Sequence, residues 1–356
     1  MKTALILLLF ITGASCSEQE SQTSSDAPVV GASHEEPVFS YPETDADALA
    51  EAITSTSGIT SFLLFSGDEV VSEHYTGNAA RDRFTNIKSA SKSLLNVLVY
   101  AALENGYIDN LDQPIETWLG DYYENIDDER KKSITVRHLI TMSTGLQSTS
   151  FGNYGRWVVS PDWVAFVLNS ELQHEPGSRM VYSTGDTHLL SAVLTRATGM
   201  NLRSFANQYL TGPTGIRIGG WDTDPKGFYF GGNNMAVTPG GLLAMGRLYL
   251  NGGTLNGQRI LSQEWVDESF TKHFEQSSYN RRGHDYGYLW WHNTFGPHSA
   301  WFAWGYGGQY VFILPDFNAV AVFTGNPDQR DRGLNNRIFA LMEDQIVPWL
   351  FHNSEQ

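Results

Sequence analysis

Between Ile87 and Gly106 the chain reads IKSASKSLLNVLVYAALENG, and the rest of the sequence is best read outward from this stretch. Leu94, Leu95, Leu98, Ala101 and Ala102 recur at helical spacing from about Ser89, and Asn105-Gly106 supplies a stop. The apolar character continues through Val97-Leu98-Val99, as expected of a helix placed inside a core. Two polar residues open it: Ser89 and Lys92 stand three positions apart and so share one helix face. A serine hydroxyl is a poor nucleophile until a base takes its proton. A lysine amine can be that base where burial and a helix N-terminus favour its neutral form. The same residues also describe a plain helix cap followed by a surface lysine.

Around this helix the pattern is strand, helix, strand. Ile59 to Phe65 and Glu69 to Tyr75 are strand-like runs joined by Ser66-Gly67-Asp68, a hairpin signal. Ile134 to Met142 and Thr187 to Thr198 read as helices, the second stopped by Gly199, and the helical character extends through Gly241 to Leu250. Strand signals return at Gly287 to His292, Gln309 to Leu314 and Ala319 to Thr324, before a helical pattern over Asp331 to Phe351. Strands at both ends of a helical middle predict an α+β fold in which the two ends share one sheet.

Composition excludes several function classes. The 356 residues are 41% hydrophobic and 13% aromatic, enough for a large buried core. The formal net charge of −16, without a Lys/Arg-rich run, argues against nucleic-acid binding. Cys16 is the only cysteine, which leaves no disulfide, thiolate metal site or cysteine nucleophile for the folded body. No G-x-S-x-G or H-E-x-x-H occurs, the ten histidines show no ligand spacing, and no cofactor or metal is expected.

The amino terminus carries an address. Lys2 precedes the apolar run Ala4 to Ile11, too short to span a bilayer, and Gly13-Ala14-Ser15-Cys16 follows. This resembles the lipobox of bacterial lipoproteins, with Gly13 where leucine is usual. It implies a signal peptide over 1–15, lipidation at Cys16, and a periplasm-facing protein of the cell envelope. An ordinary secretory signal with an incidental Cys16 is the alternative. Residues 17–26 read SEQESQTSSD, and the stretch to about 40 is expected to be a solvated tether.

S-x-x-K occurs twice, at Ser89–Lys92 and at Ser269–Lys272. The second is followed by the polar, irregular His273-Phe274-Glu275-Gln276-Ser277-Ser278 and is read as a chance match. Two further segments add to the first: Pro176-Gly177-Ser178-Arg179-Met180-Val181-Tyr182-Ser183-Thr184, and Trp304-Gly305-Tyr306-Gly307-Gly308-Gln309 before a strand. In this order, the three motifs resemble the penicillin-recognising serine hydrolases related to class C β-lactamases. Framework phrases such as Leu139-Ile140-Thr141-Met142-Ser143-Thr144-Gly145-Leu146 extend the likeness over about residues 45–350. Within that family the variant looks most like the branch of 6-aminohexanoate-oligomer hydrolases and related esterases.

The resemblance implies an antiparallel sheet from N- and C-terminal strands flanked by helices. It places the domain at 41–352, with its sheet part at about 41–88 and 241–352 and its helical part at about 89–240. It implies Ser89 as nucleophile, Lys92 as its base, and Tyr182 as the proton shuttle to the leaving group, a phenol that would need a cationic neighbour to act near neutrality. Backbone amides of Ser89 and of the Tyr306-Gly307 strand would form an oxyanion hole. Two departures stand out: Thr184 replaces the asparagine of Y-x-N, and no lysine or histidine occupies the Lys-Thr-Gly position. The missing cation argues against efficient β-lactam hydrolysis. Asp186 reads as a cap for a helix opening near Thr187, and Trp157, Trp163, Trp290, Trp291, Trp301 and Trp304 are candidates to line an acyl pocket or to fill the core.

The expected activity is hydrolysis of small carboxylic esters or amides through an acyl-serine. The alternatives are a non-catalytic lipoprotein binding cell-wall peptide or a protein partner, and a D-alanyl carboxypeptidase or weak β-lactamase.

Overall fold

The hairpin expected around Ser66-Gly67-Asp68 forms one edge of a seven-stranded sheet. In the computed structural model, which describes residues 41, 45–275, 283–328 and 331–353, the strands are β1 (Ile59–Ser66), β2 (Glu69–Tyr75), β3 (Asp285–Tyr286), β4 (Trp291–Phe295), β5 (His298–Gly305), β6 (Gln309–Leu314) and β7 (Ala319–Gly325). Their order is β2-β1-β7-β6-β5-β4-β3, and every neighbouring pair is antiparallel. The chain ends meet where β1 pairs β7, with Phe62 opposite Phe323 and Ser66 opposite Ala319. The expected signal segment, Cys16 and the tether lie outside the described residues.

Both faces of the sheet are covered, which is why β6 and β7 are buried along their whole length. On one face lies the helix Pro239–Leu250, opened by Thr238, whose hydroxyl accepts from the Gly241 N–H at 3.0 Å. The helix touches the sheet at Gly246, where an added Cβ would stand 2.5 Å from Val320 Cγ1 and 3.0 Å from Val311 Cγ1. The opposite face takes the helix Leu334–Leu341, whose Phe339 ring stands edge-on to Phe302, Tyr310 and Phe312. Val311 faces one layer and its neighbours Tyr310 and Phe312 the other, the two-residue alternation of a strand.

Between β2 and the later strands the chain is largely helical. The central helix, α1 (Ser91–Glu104), is buried from Ser91 to Val99 and packs against α2 (Thr184–Thr198). A polar knot ties α1 to the layer behind it: Asn96 Oδ1 accepts from the Tyr249 hydroxyl at 2.6 Å and Trp265 Nε1 at 2.7 Å, while its Nδ2 donates to Ser269 Oγ at 3.0 Å and the Tyr288 carbonyl at 2.9 Å. A buried amide with all its needs met is tolerated in a core, and one left unmet is costly.

Three local expectations change. The run Gly287 to His292 is not one strand: Leu289 sits at φ 61, and the Gly287 N–H closes a turn on the Trp290 carbonyl at 2.9 Å. The helix expected over 134–142 is the short Val136–Ile140, ended by Met142 at φ 57. A strand stands at His298–Gly305 where none was expected; Trp301, Phe302 and Trp304 favour a strand, and it pairs β4 on one side and β6 on the other.

The contact at Gly246 leaves no room for a methyl group. Gly246→Ala is expected to destabilise the protein by about 1–3 kcal/mol, read as a lower urea midpoint. An unchanged midpoint would contradict this packing.

Candidate active site

Ser89 does not begin the helix. It lies in a preceding 3₁₀ turn, Lys88–Ala90, tied to α1 by the Ser91 hydroxyl donating to the Lys88 carbonyl at 2.7 Å. One turn on, Lys92 returns its amine to Ser89: Nζ lies 3.1 Å from Ser89 Oγ. The amine also donates to the Gly232 carbonyl at 2.6 Å and to Thr184 Oγ1 at 3.3 Å. Gly232, at φ +73, must be glycine, since a Cβ there would fall 2.4 Å from Lys92 Cγ.

Lys92 is 2% exposed, and that burial pulls its pKa down from the usual lysine range to about 7. The nearby Asp186 opposes the shift by favouring the cation. Burial in turn pushes Asp186 up to about 7, against the restraining effects of the Thr144 and Ser183 hydrogen bonds and of Lys92. The Thr144 hydroxyl donates to Asp186 Oδ2 at 3.0 Å. An amine and a carboxyl therefore stand together in the core, both able to change charge near neutrality. Asp186 is a first-turn residue of α2 rather than its cap. The helix opens at Thr184, three residues before the expected start, with Ser183 as the N-cap.

Tyr182 completes the group. Its hydroxyl hydrogen-bonds Ser89, its ring centroid lies 5.1 Å from Lys92 Nζ, and Trp291 stacks against it at 5.6 Å between centroids. The phenol is not brought toward neutrality by its neighbours. Burial raises its pKa well above the ordinary tyrosine value, and the Ser89 hydrogen bond offsets only part of that. Tyr182 is a neutral hydrogen-bonding phenol at neutral pH, and Lys92 is the group suited to take a proton.

These side chains stand at one wall of a cavity of about 720 Å³, lined by Ser89, Tyr182, Thr184, Ser150, Phe151, Tyr154 and others. The end of β5 closes against the turn that carries Ser89: a Cβ on Gly305 would lie 2.2 Å from the Ile87 carbonyl and 3.1 Å from the Ala90 nitrogen. Only glycine permits this approach.

Comparison with known proteins follows from this geometry. The Beta-lactamase family model matches residues 58–341, most of the chain. The chain belongs to the beta-lactamase family. Among its relatives are a 6-aminohexanoate-dimer hydrolase of Paenarthrobacter ureafaciens, 25% identical with 65% of this chain and 63% of that protein covered, and the esterase EstB of Burkholderia gladioli, 26% identical over 41% of each. The chain thus spans less than two thirds of the length of either relative. A penicillin-binding protein homologue from Pyrococcus abyssi has the same fold, at TM-score 0.64 and 18% identity, with 85% of this chain and 78% of that one covered. The α+β fold is that of β-lactamases and transpeptidases.

Placed on the family fold, the sequence-derived residues divide. Ser89, Tyr182, Thr184 and Tyr306 line the cavity, while Lys92 is buried behind Ser89 and reaches it at 3.1 Å. Gly307 does not line it. At φ +79 it packs on the 326–327 loop, where a Cβ would stand 2.7 Å from the Asn326 carbonyl. Thr184 is engaged by Lys92 and by the Ser150 hydroxyl at 3.1 Å, so it extends the hydrogen-bond chain from the amine rather than replacing the amide it displaced. Of the six tryptophans, Trp304 lines the cavity, Trp291 backs Tyr182 and Trp163 lines an adjoining hollow, while Trp157, Trp290 and Trp301 are core. The second S-x-x-K is structural: Ser269 is fully buried on Asn96, and Lys272 pairs Asp285 at 3.2 Å.

Several residues escaped the sequence reading: Ser150, Tyr154, Asn233, Asn234 and Lys88 line the cavity, and Asn233 Nδ2 donates to the Tyr154 hydroxyl at 2.8 Å. Their one sequence signal is Gly231-Gly232-Asn233-Asn234, where a Cβ on Gly231 would strike the Thr187 carbonyl at 1.9 Å.

Because the Asp186 charge favours the Lys92 cation, its removal makes the neutral amine easier to form. A base active when neutral gains activity as pH rises through its pKa. Asp186→Asn is therefore expected to move the rising limb of the kcat/KM–pH profile from near 7 to lower pH. A shift to higher pH would contradict the coupling.

Proposed function

We propose that this protein hydrolyses small carboxylic esters or amides through a covalent acyl-serine, with Ser89 as nucleophile, Lys92 as base and Tyr182 as proton shuttle. The observation that carries the reading is the Ser89 hydroxyl held between a buried amine of lowered pKa and a buried phenol, at the wall of an open cavity. In its neutral form Lys92 accepts the Ser89 proton as Oγ attacks the substrate carbonyl. The developing oxyanion sits between the Ser89 and Tyr306 N–H groups, backbone donors that need no particular side chain. The Tyr182 hydroxyl gives its proton to the departing alcohol or amine and recovers one from the Lys92 ammonium, so no phenolate has to persist. Water, activated by the same pair, then releases the acid and returns Ser89. That one relative is a 6-aminohexanoate-dimer hydrolase and another an esterase supports ester and amide substrates for this chain.

Ser89→Ala is expected to lower p-nitrophenyl butyrate turnover by at least about 10³-fold and to abolish the acyl adduct seen by intact-mass spectrometry. Tyr182→Phe should lower kcat by about 10²–10⁴-fold, the range for loss of a proton-transfer group. Ser269→Ala should lose stability through Asn96 yet keep fluorophosphonate labelling. Labelling lost only in the Ser269 variant would overturn the assignment.

We further propose export to the cell envelope with a lipid on Cys16, on the strength of the Lys2, Ala4–Ile11 and Gly13–Cys16 pattern. Metabolic labelling with a clickable fatty acid should mark the wild type and not Cys16→Ser; equal labelling would contradict it.

A further inference from the structure

The cavity wall carries a charge that the catalytic group does not use. In a chain of net charge −16, the described residues lining the cavity include one cationic side chain, Lys88, and no carboxylate. Lys92 is a different case, because its amine is enclosed by Ser89, Thr184 and Gly232. The Lys88 side chain is 19% exposed, and its nearest counter-ion is Asp328, 3.9 Å away and 87% exposed. An ion pair that long and that wet contributes little. No acceptor among the described residues stands within hydrogen-bond distance of the Lys88 ammonium, so a partly desolvated cation faces the cavity with its donors unspent.

The backbone fixes where this cation stands. Lys88 lies directly before Ser89 at φ 49, a left-handed conformation that a non-glycine residue adopts only at a cost. Its N–H donates to Asn86 Oδ1 at 3.0 Å, and its carbonyl accepts from the Ser91 hydroxyl. With both backbone groups held, the side chain reaches the 326–328 loop, the same loop on which Gly307 packs. Lys88, Tyr306 and Pro327 therefore form one part of the cavity wall, beside the strand end that lacks a cation of its own. Phe151, Tyr154, Asn233 and Asn234, also on the wall, add rings and amides but no charge.

We propose that Lys88 is a specificity-determining residue that binds a carboxylate carried by the ester or amide substrate, and so supplies from the nucleophile's own turn the cation missing from the β5 motif. The inference rests on Ser89 as nucleophile. Carboxylate binding displaces Asp328, a weak competitor, and forms a charge-assisted hydrogen bond in a partly dry site. The carboxylate can belong to the acyl part or to the leaving group, and the choice of substrates separates the two.

The test is kcat/KM on two pairs of similar size that differ in charge: mono-p-nitrophenyl glutarate against p-nitrophenyl pentanoate for the acyl side, and 4-butyryloxybenzoate against its methyl ester for the leaving-group side. The wild type is expected to prefer the anionic member of one pair by about tenfold, and that pair names the side. The readout is the anionic-to-neutral ratio, since a change at Lys88 can also disturb Ser89. Lys88→Gln should bring the ratio to about one, Lys88→Arg should restore most of it, and 1 M NaCl should narrow it in the wild type. Asp328→Asn, a rim change independent of how the Lys88 variants fold, should raise it. Turnover with no charge preference in either pair, or a preference that survives Lys88→Gln, overturns this inference alone. Absence of turnover for all four substrates, by wild type as by Ser89→Ala, overturns the Ser89 reading and this inference with it.

Discussion

A lysine amine without water around it is the constraint on which the rest of the structure turns. Exposed, Lys92 would stay a cation through the neutral range and could take no proton from Ser89. At 2% exposure its pKa comes down to about 7, and the surrounding fold is arranged to keep it there. The central helix that carries it is buried on nearly all sides. Gly232 lets a carbonyl approach to 2.6 Å, and Thr184 is presented by the first residue of a second buried helix. The Asn96 knot, one turn along from the amine, anchors the same helix to the layer holding Tyr249, Trp265 and Ser269. Asp186 then sets a limit on the shift, because a buried carboxyl beside the amine makes its cation less costly.

Burial acts in opposite senses on the two groups flanking Ser89. It favours the neutral amine of Lys92 and the neutral phenol of Tyr182, so one becomes a better base and the other a worse acid. A phenol of raised pKa still passes a proton, provided it is refilled as it gives. Lys92 stands close enough to the Tyr182 ring for the Ser89 hydroxyl to bridge the two. The division of labour is a consequence of where each side chain sits.

Much of this was legible from residue order alone. The apolar run after Ser89 announced a buried helix, but whether the lysine at its first turn was buried or on the surface only the fold decides. The β1–β2 hairpin, β6 and β7 followed from alternation and turn residues. What resisted reading depends on contacts distant in sequence. His298–Gly305 is set as a strand by its pairing with β4 and β6, partners that its own residues do not name. Lys88 carried no signal of its own in the sequence, and only the fold places it on the cavity wall beside the 326–328 loop. Asp186 read as a cap because the helix start was set three residues late. The sequence could not show that Thr144, 42 positions earlier, would meet it in the core.

The account stands or falls on the protonation of Lys92. Its ¹³Cε resonance, assigned by comparison with Lys92→Met in protein carrying labelled lysine, can be followed by NMR across pH 5 to 11. A titration midpoint near 7 is the predicted result. A Lys92 signal that stays in the charged position until the range of an exposed lysine would contradict it, and would leave Ser89 without its base.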